Sequence, residues 1–176
     1  LVNRSIAPCK QAIADAGGKL FVGPFYSPVG YLPGRRRTED EWKRCVEAYQ
    51  EIGPVCAQHG VTIALEPLNR FETYFLNTAA DGVRLCDAVG HPNIGLLIDT
   101  FHANIEEKHP VETYVVYHRE INHYHISESD RGVPGTMLRR RTGDGSTIVE
   151  QVDGSLAWRS YGDLGLAGAA YSTELL

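Results

Sequence analysis

Apolar residues in this chain follow two alternating rhythms. KLFVGPF (19–25), VTIALEPL (61–68), IGLLIDT (94–100) and INHYHIS (121–127) are short, largely apolar runs bounded by glycine, proline or polar clusters. Such runs predict strands buried on both faces of a parallel sheet. Between them the spacing is helical. Thr38 followed three residues on by Glu41 has the form of a capping box, and Trp42, Val46, Tyr49 and Ile52 form a stripe, so a helix is predicted from Glu39. Gly53-Pro54 is expected to kink it and His59-Gly60 to end it. Asn77 or Thr78 caps a second helix reaching about Val89, with Val83, Leu85 and Cys86 available for its buried side. Residues 5–16 read as the end of a helix stopped by Gly17-Gly18, and residues 111–119 as a further short helix. YSPVGYLPGRRR (26–37) and residues 69–76 read as loops, and FHANIEEKHP (101–110) as a polar stretch.

Strands alternating with helices through right-handed crossovers make a parallel α/β fold. The rhythm holds to about Gly135, which bounds the main unit at residues 1–135. Residues 136–176 are rich in Gly, Ser and Thr and read as a divergent segment that could supply the last helix and strand of the same domain. A short helix near Leu156–Tyr161 and a strand in AAYSTELL (169–176) are the elements expected there.

Composition narrows the class. With 176 residues, 43% hydrophobic and 22% charged, the chain suits one globular domain. A net charge of −5 argues against a nucleic-acid partner, and the runs Arg35–Arg37 and Arg139–Arg141 read as solvated loops. No apolar run approaches membrane-spanning length, so no membrane partner is expected. Cys9, Cys45, Cys56 and Cys86 show no CxxC pairing and read as reduced thiols of a cytoplasmic protein. The chain begins at Leu1 and not at Met, which leaves targeting open.

Three of the strand-like runs place a metal-binding side chain at their C-terminal end: Glu66, Asp99 and His125. Parallel α/β proteins collect function at that edge. Each residue also has a plainer reading: Glu66 pairing with Arg70, Asp99 capping the next helix, His125 hydrogen-bonding in the core. Their joint occurrence favours a divalent-metal site, with Mg²⁺, Mn²⁺ or Co²⁺ better suited than zinc to ligands without cysteine. Asn69, Arg70 and Glu72 follow Glu66, His102 and Asn104 follow Asp99, and Glu128 and Arg131 follow His125. For Glu72, His102 and Arg131 the plainer reading is a solvated loop side chain, the one assigned to Glu106 and Glu107. His59, His91 and His118 are expected to face solvent. His123 shares a face with His125 and could support it from behind.

The strings ALEPLNRFE (64–72), LIDTFHANIEE (97–107) and HYHISESDRGVPG (123–135) resemble the D-tagatose 3-epimerase / D-psicose 3-epimerase family of xylose isomerase-like TIM barrels. The likeness runs from the first strand to about Gly135. It implies a partial (β/α)8 barrel of about five parallel strands, with the family's first three strands missing and an atypical C-terminal tail. It also implies a divalent metal, Mn²⁺ or Co²⁺ with Mg²⁺ possible in principle, held by Glu66, Asp99, His125 and one further carboxylate. Glu66 matches one of two glutamates that exchange the C3 proton of a ketose through an enediolate. Glu72, His102 and Arg131 match residues contacting the sugar near its carbonyl. Glu174, six residues after Gly168 in the Gly165-Leu166-Ala167-Gly168 turn, is the candidate for the fourth ligand and second glutamate. The resemblance further implies a homo-oligomer, dimer or tetramer. Two alternatives stay open: a related sugar isomerase of aldose–ketose, hydroxypyruvate or inosose type, and an inactive truncated relative that binds only metal or a partner chain.

Overall fold

The computed structural model describes residues 17–131 and, beyond them, the backbone of Glu150–Val152, Ser155–Ala157 and Ala170–Ser172. The helix ending at Gly17, Cys9 and the Arg139–Arg141 run lie outside the described residues. Helix α1 spans Glu39–Gln58 and opens with the complete capping box. Glu41 N–H donates to Thr38 Oγ1 at 3.2 Å and Thr38 N–H to Glu41 Oε2 at 2.7 Å. Trp42, Cys45, Tyr49, Ile52 and Cys56 form its buried stripe. Pro54 lies inside this helix without ending it. The bond it forfeits is to the carbonyl of residue 50, and both positions are exposed, so water can serve that oxygen.

Helix α2, Ala79–Val89, is capped by Thr78, whose hydroxyl accepts from Asp81 N–H, and ends on Gly90 at φ 67. Asn77 instead donates its amide to the Leu68 and Thr73 carbonyls. Leu85 is fully buried, while Val83 and Cys86 pack on the core from half-buried positions. Helix α3, Thr100–Glu106, replaces the start of the expected polar stretch. Asp99 nucleates it by accepting from Phe101 N–H at 2.7 Å. Helix α4, Pro110–Val116, begins on a proline whose missing N–H would be unbonded there in any case.

Strands β1 (Leu20–Gly23), β2 (Thr62–Leu65), β3 (Ile94–Asp99), β4 (Ile121–His125) and β7 (Ala170–Ser172) form one parallel sheet in the order β1-β2-β3-β4-β7. Every residue of β3 is buried, as expected for a central parallel strand. The parallel sheet, with helices between its strands from β1 to β4, is the partial barrel expected from the sequence. β5 (Glu150–Val152) and β6 (Ser155–Ala157) form a separate antiparallel pair. The expected helix at Leu156–Tyr161 is therefore corrected over residues 156 and 157, and its remainder lies outside the described residues. Asp153-Gly154 between the two strands is a strong two-residue hairpin signal, which accounts for the strand pairing.

One irregularity sets the register that matters. Leu96 pairs with Ile121 but Leu97 pairs with His123, so β4 carries an extra residue, Asn122. Continued without the bulge, that register would put Asp99 opposite Tyr124; with it, Asp99 pairs with His125. Gly95 makes room, since a Cβ there would collide with the Asn122 side chain. Burial pushes the thiols of Cys45 and Cys86 up to about 12, so they pack as small hydrophobes. Among the described residues no helix is long and apolar enough to cross a membrane.

Candidate metal centre

Glu66, Asp99 and His125 converge. Glu66 is the first residue beyond β2, its N–H donating to the Gly23 carbonyl at 3.2 Å. Asp99 and His125 end β3 and β4 as ladder partners. One potential ligand atom from each of the three lies within 4.8 Å of the others, and all three side chains are buried. His125 Nδ1 is 3.6 Å from Glu66 Oε1. Two buried carboxylates this close are costly unless a cation joins them. The donor set of two carboxylates and an imidazole fits a hard or borderline divalent ion.

Asp99 meets its plainer reading as a helix cap and still leaves one oxygen at the cluster. Its Oδ1 caps α3, while Oδ2 accepts from Arg131 Nη1 at 3.1 Å and lies 3.4 Å from Ser127 Oγ. The Glu66–Arg70 pairing does not form. Arg70 instead bonds Glu106 through its backbone N–H, Nε and Nη2 at 2.7, 3.0 and 3.1 Å. Glu106 is thus a buried anchor for the loop after Glu66. Glu107 similarly accepts from Ala79 N–H at 2.7 Å at the start of α2. Both corrections have one cause: α3 folds back and brings its last turn against these loops.

His102, expected near the sugar, is buried on α3. Its Nε2 stands 3.9 Å from Glu66 Oε1 and 4.0 Å from Asp99 Oδ2. Glu72 is half-buried and accepts from Asn69 Nδ2 at 2.7 Å. Arg131 lies over the Phe101 ring at 3.9 Å and reaches Asp99, so it joins the same cluster. Its backbone takes φ 61, unusual outside glycine, and its N–H closes a turn onto the Glu128 carbonyl at 3.0 Å. His123 is buried, and its ring meets His125 edge-on at 5.2 Å. Burial, then the neighbouring His125, holds its imidazole below the ordinary range. His91, expected to face solvent, is half-buried, with its ring in the space that Gly53 leaves. Glu174 lies outside the described residues. The nearest described residue is Ser172, the ladder partner of His125.

Tyr26 has a role in the site that its sequence position does not announce, and Asn69, one of the polar residues noted after Glu66, links two of the site residues. Tyr26, within the expected loop, is buried, with its hydroxyl 2.7 Å from the Glu66 carbonyl and 3.3 Å from Leu68 N–H. Desolvation holds its phenol far above the usual range, so it stays a neutral donor. Asn69, also buried, contacts both Glu72 and His102.

Residues 4–153 match the xylose isomerase-like TIM barrel family. The chain is 40% identical over 135 residues to a probable ketose 3-epimerase of Synechocystis sp., covering 77% of this chain and 46% of that protein. It is 39% identical over 119 residues to a D-psicose 3-epimerase of Ruminiclostridium cellulolyticum, covering 68% and 39%. A crystal structure of D-allulose 3-epimerase from Methylomonas sp. in complex with D-allulose superposes with a TM-score of 0.73 at 30% identity, covering 77% of this chain and 46% of that one. The chain therefore spans less than half the length of these relatives.

Proposed function

Because the chain belongs to the xylose isomerase-like TIM barrel family, we propose that it acts in the metal-dependent C3 epimerisation of a ketose. The observation that carries this reading is the convergence of Glu66, Asp99 and His125 at one buried edge of the sheet, beside His102 and Arg131. The names of the relatives, ketose and D-psicose 3-epimerases, support the same class. Glu66, Asp99 and His125 would hold the ion, Mn²⁺ or Co²⁺ in first place and Mg²⁺ in second, with Glu174 as the proposed fourth ligand. Bound there, a divalent ion supplies Lewis-acid polarisation of the carbonyl at C2, which acidifies the adjacent C3–H.

The chain's own residues then divide the remaining work. Glu66 removes the C3 proton as general base and leaves an enediolate. His102 donates through Nε2, and Arg131 and Glu72 orient the hydroxyls near the carbonyl. Inversion requires a second carboxylate on the opposite face of C3, the role proposed for Glu174. Pairing of β7 with β4 supports residues 136–176 closing the same domain as residues 1–135. A homo-oligomer is proposed with it.

Mn²⁺- or Co²⁺-dependent interconversion of ketoses that differ only at C3 tests the proposal. Aldose–ketose exchange with C3 retained would point to the sugar-isomerase alternative. Metal binding with neither reaction would favour the inactive relative, a reading that the partial coverage of the relatives keeps in view.

A further inference from the structure

We propose that Asn69 is a positioning residue that fixes which nitrogen of His102 carries the proton and, with the same amide, aims Glu72. The inference rests on the epimerase reading only for the identity of the oxygen that His102 would serve. Two donors converge on His102 Nδ1: the Asn69 backbone N–H at 3.1 Å and Asn69 Nδ2 at 2.9 Å. A backbone N–H can only donate, so Nδ1 must be the bare, accepting nitrogen. The proton of the neutral ring is then on Nε2, the atom facing Glu66 Oε1 and Asp99 Oδ2.

The orientation of the Asn69 amide is itself determined. Its Oδ1 accepts from Phe71 N–H at 2.9 Å, which leaves Nδ2 to donate to Glu72 Oε1 at 2.7 Å and to His102. The opposite tautomer would set the proton of Nδ1 against two donors inside a buried cluster. Its only return would be an acceptor at Nε2 for Arg131 Nη2, at the long distance of 3.5 Å. Two contacts near 3 Å outweigh one at that limit. One buried asparagine therefore makes His102 a donor and Glu72 an acceptor in the same pocket.

Heteronuclear NMR of the imidazole nitrogens in the metal-free full-length chain, with His102 assigned through H102Q, tests this directly. In the wild type, Nδ1 is expected at the unprotonated imidazole shift and Nε2 at the protonated one. Asn69→Asp replaces the Nδ2 donor with a charged acceptor and leaves only the backbone N–H on Nδ1, so the Nδ1 resonance should move from the unprotonated shift toward the protonated one. A wild-type His102 protonated on Nδ1 or averaging between the two forms overturns the inference, whether or not N69D folds. So does a folded N69D whose His102 nitrogen shifts equal those of the wild type. Turnover of a ketose plays no part in either measurement. A chain that fails to epimerise but shows the predicted tautomer change therefore defeats the functional reading alone.

Discussion

Asp99 holds a helix cap and a candidate metal ligand in one side chain, and two substitutions pull these roles apart. Asp99→Asn keeps an oxygen for Phe101 N–H, and asparagine caps about as well as aspartate. The substitution loses the pair with Arg131, whose Asp99 end is buried, but it also removes one of two close buried carboxylates, and the two changes offset. Without metal, D99N should therefore melt within about 0.5 kcal/mol of the wild type. Asp99→Ala removes the cap from a helix of only seven residues, a loss of about 1 kcal/mol. For a chain of this size that lowers Tm by roughly 2–4 °C. Metal reverses the grouping of the variants. At a Mn²⁺ concentration of about 100 times the wild-type Kd, binding stabilises the wild type by about 2.7 kcal/mol. Changing residues behind a metal ligand already weakens binding about 10–100-fold, so losing a ligand should cost about 100-fold or more. At the same Mn²⁺ concentration, D99N should then gain no more than about 0.4 kcal/mol. Calorimetric melts in EDTA and in Mn²⁺ read both effects. A D99N chain with the full metal-induced rise would refute the ligand role, and D99A melting with D99N in EDTA would refute the cap.

Other outcomes follow from the packing. A Cβ at Gly82 would lie 2.7 Å from Leu96 Cδ2 in a side chain with no exposure. Gly82→Ala gains about 1 kcal/mol of helix propensity but incurs about 1–3 kcal/mol of overpacking, so a small net loss is expected in urea titration. A more stable variant would contradict that packing. His123 is held below its ordinary value by burial and by His125, so the unfolded chain takes up the proton more readily. Stability from this group is complete above about pH 6.5 and falls as pH drops through the lowered native value. His123→Gln should flatten the acid limb of a Tm-against-pH curve measured without metal. An unchanged slope would count against it.

What the sequence reveals is mostly what is local. Thr38 and Glu41 announce α1 because both halves of the capping box lie within four residues. The end of β3 at Asp99 is legible because an unbroken apolar run meets a charge. Helix α3 is hidden because its segment is polar: it depends on the Asp99 cap and on docking through Glu106 and Glu107, both long-range. The same holds for Tyr26, which reaches the Glu66 carbonyl across forty positions of sequence. The Asn122 bulge could not be read from alternation in β4, since it shows only in pairing with Gly95's neighbours. The candidate ligands were therefore visible one at a time, whereas the contacts that aim them were not.

The central claim is that Glu66 removes the C3 proton beside a bound metal. Deuterium entering C3 of a ketose in heavy water, with Mn²⁺ or Co²⁺ present, tests it without requiring the second carboxylate, because removal and return can occur on one face. The wild-type chain should incorporate deuterium at C3 only with metal, and Glu66→Gln should lose that exchange. Exchange in E66Q at the wild-type rate, or none in a wild-type chain shown to bind the metal, would contradict the account.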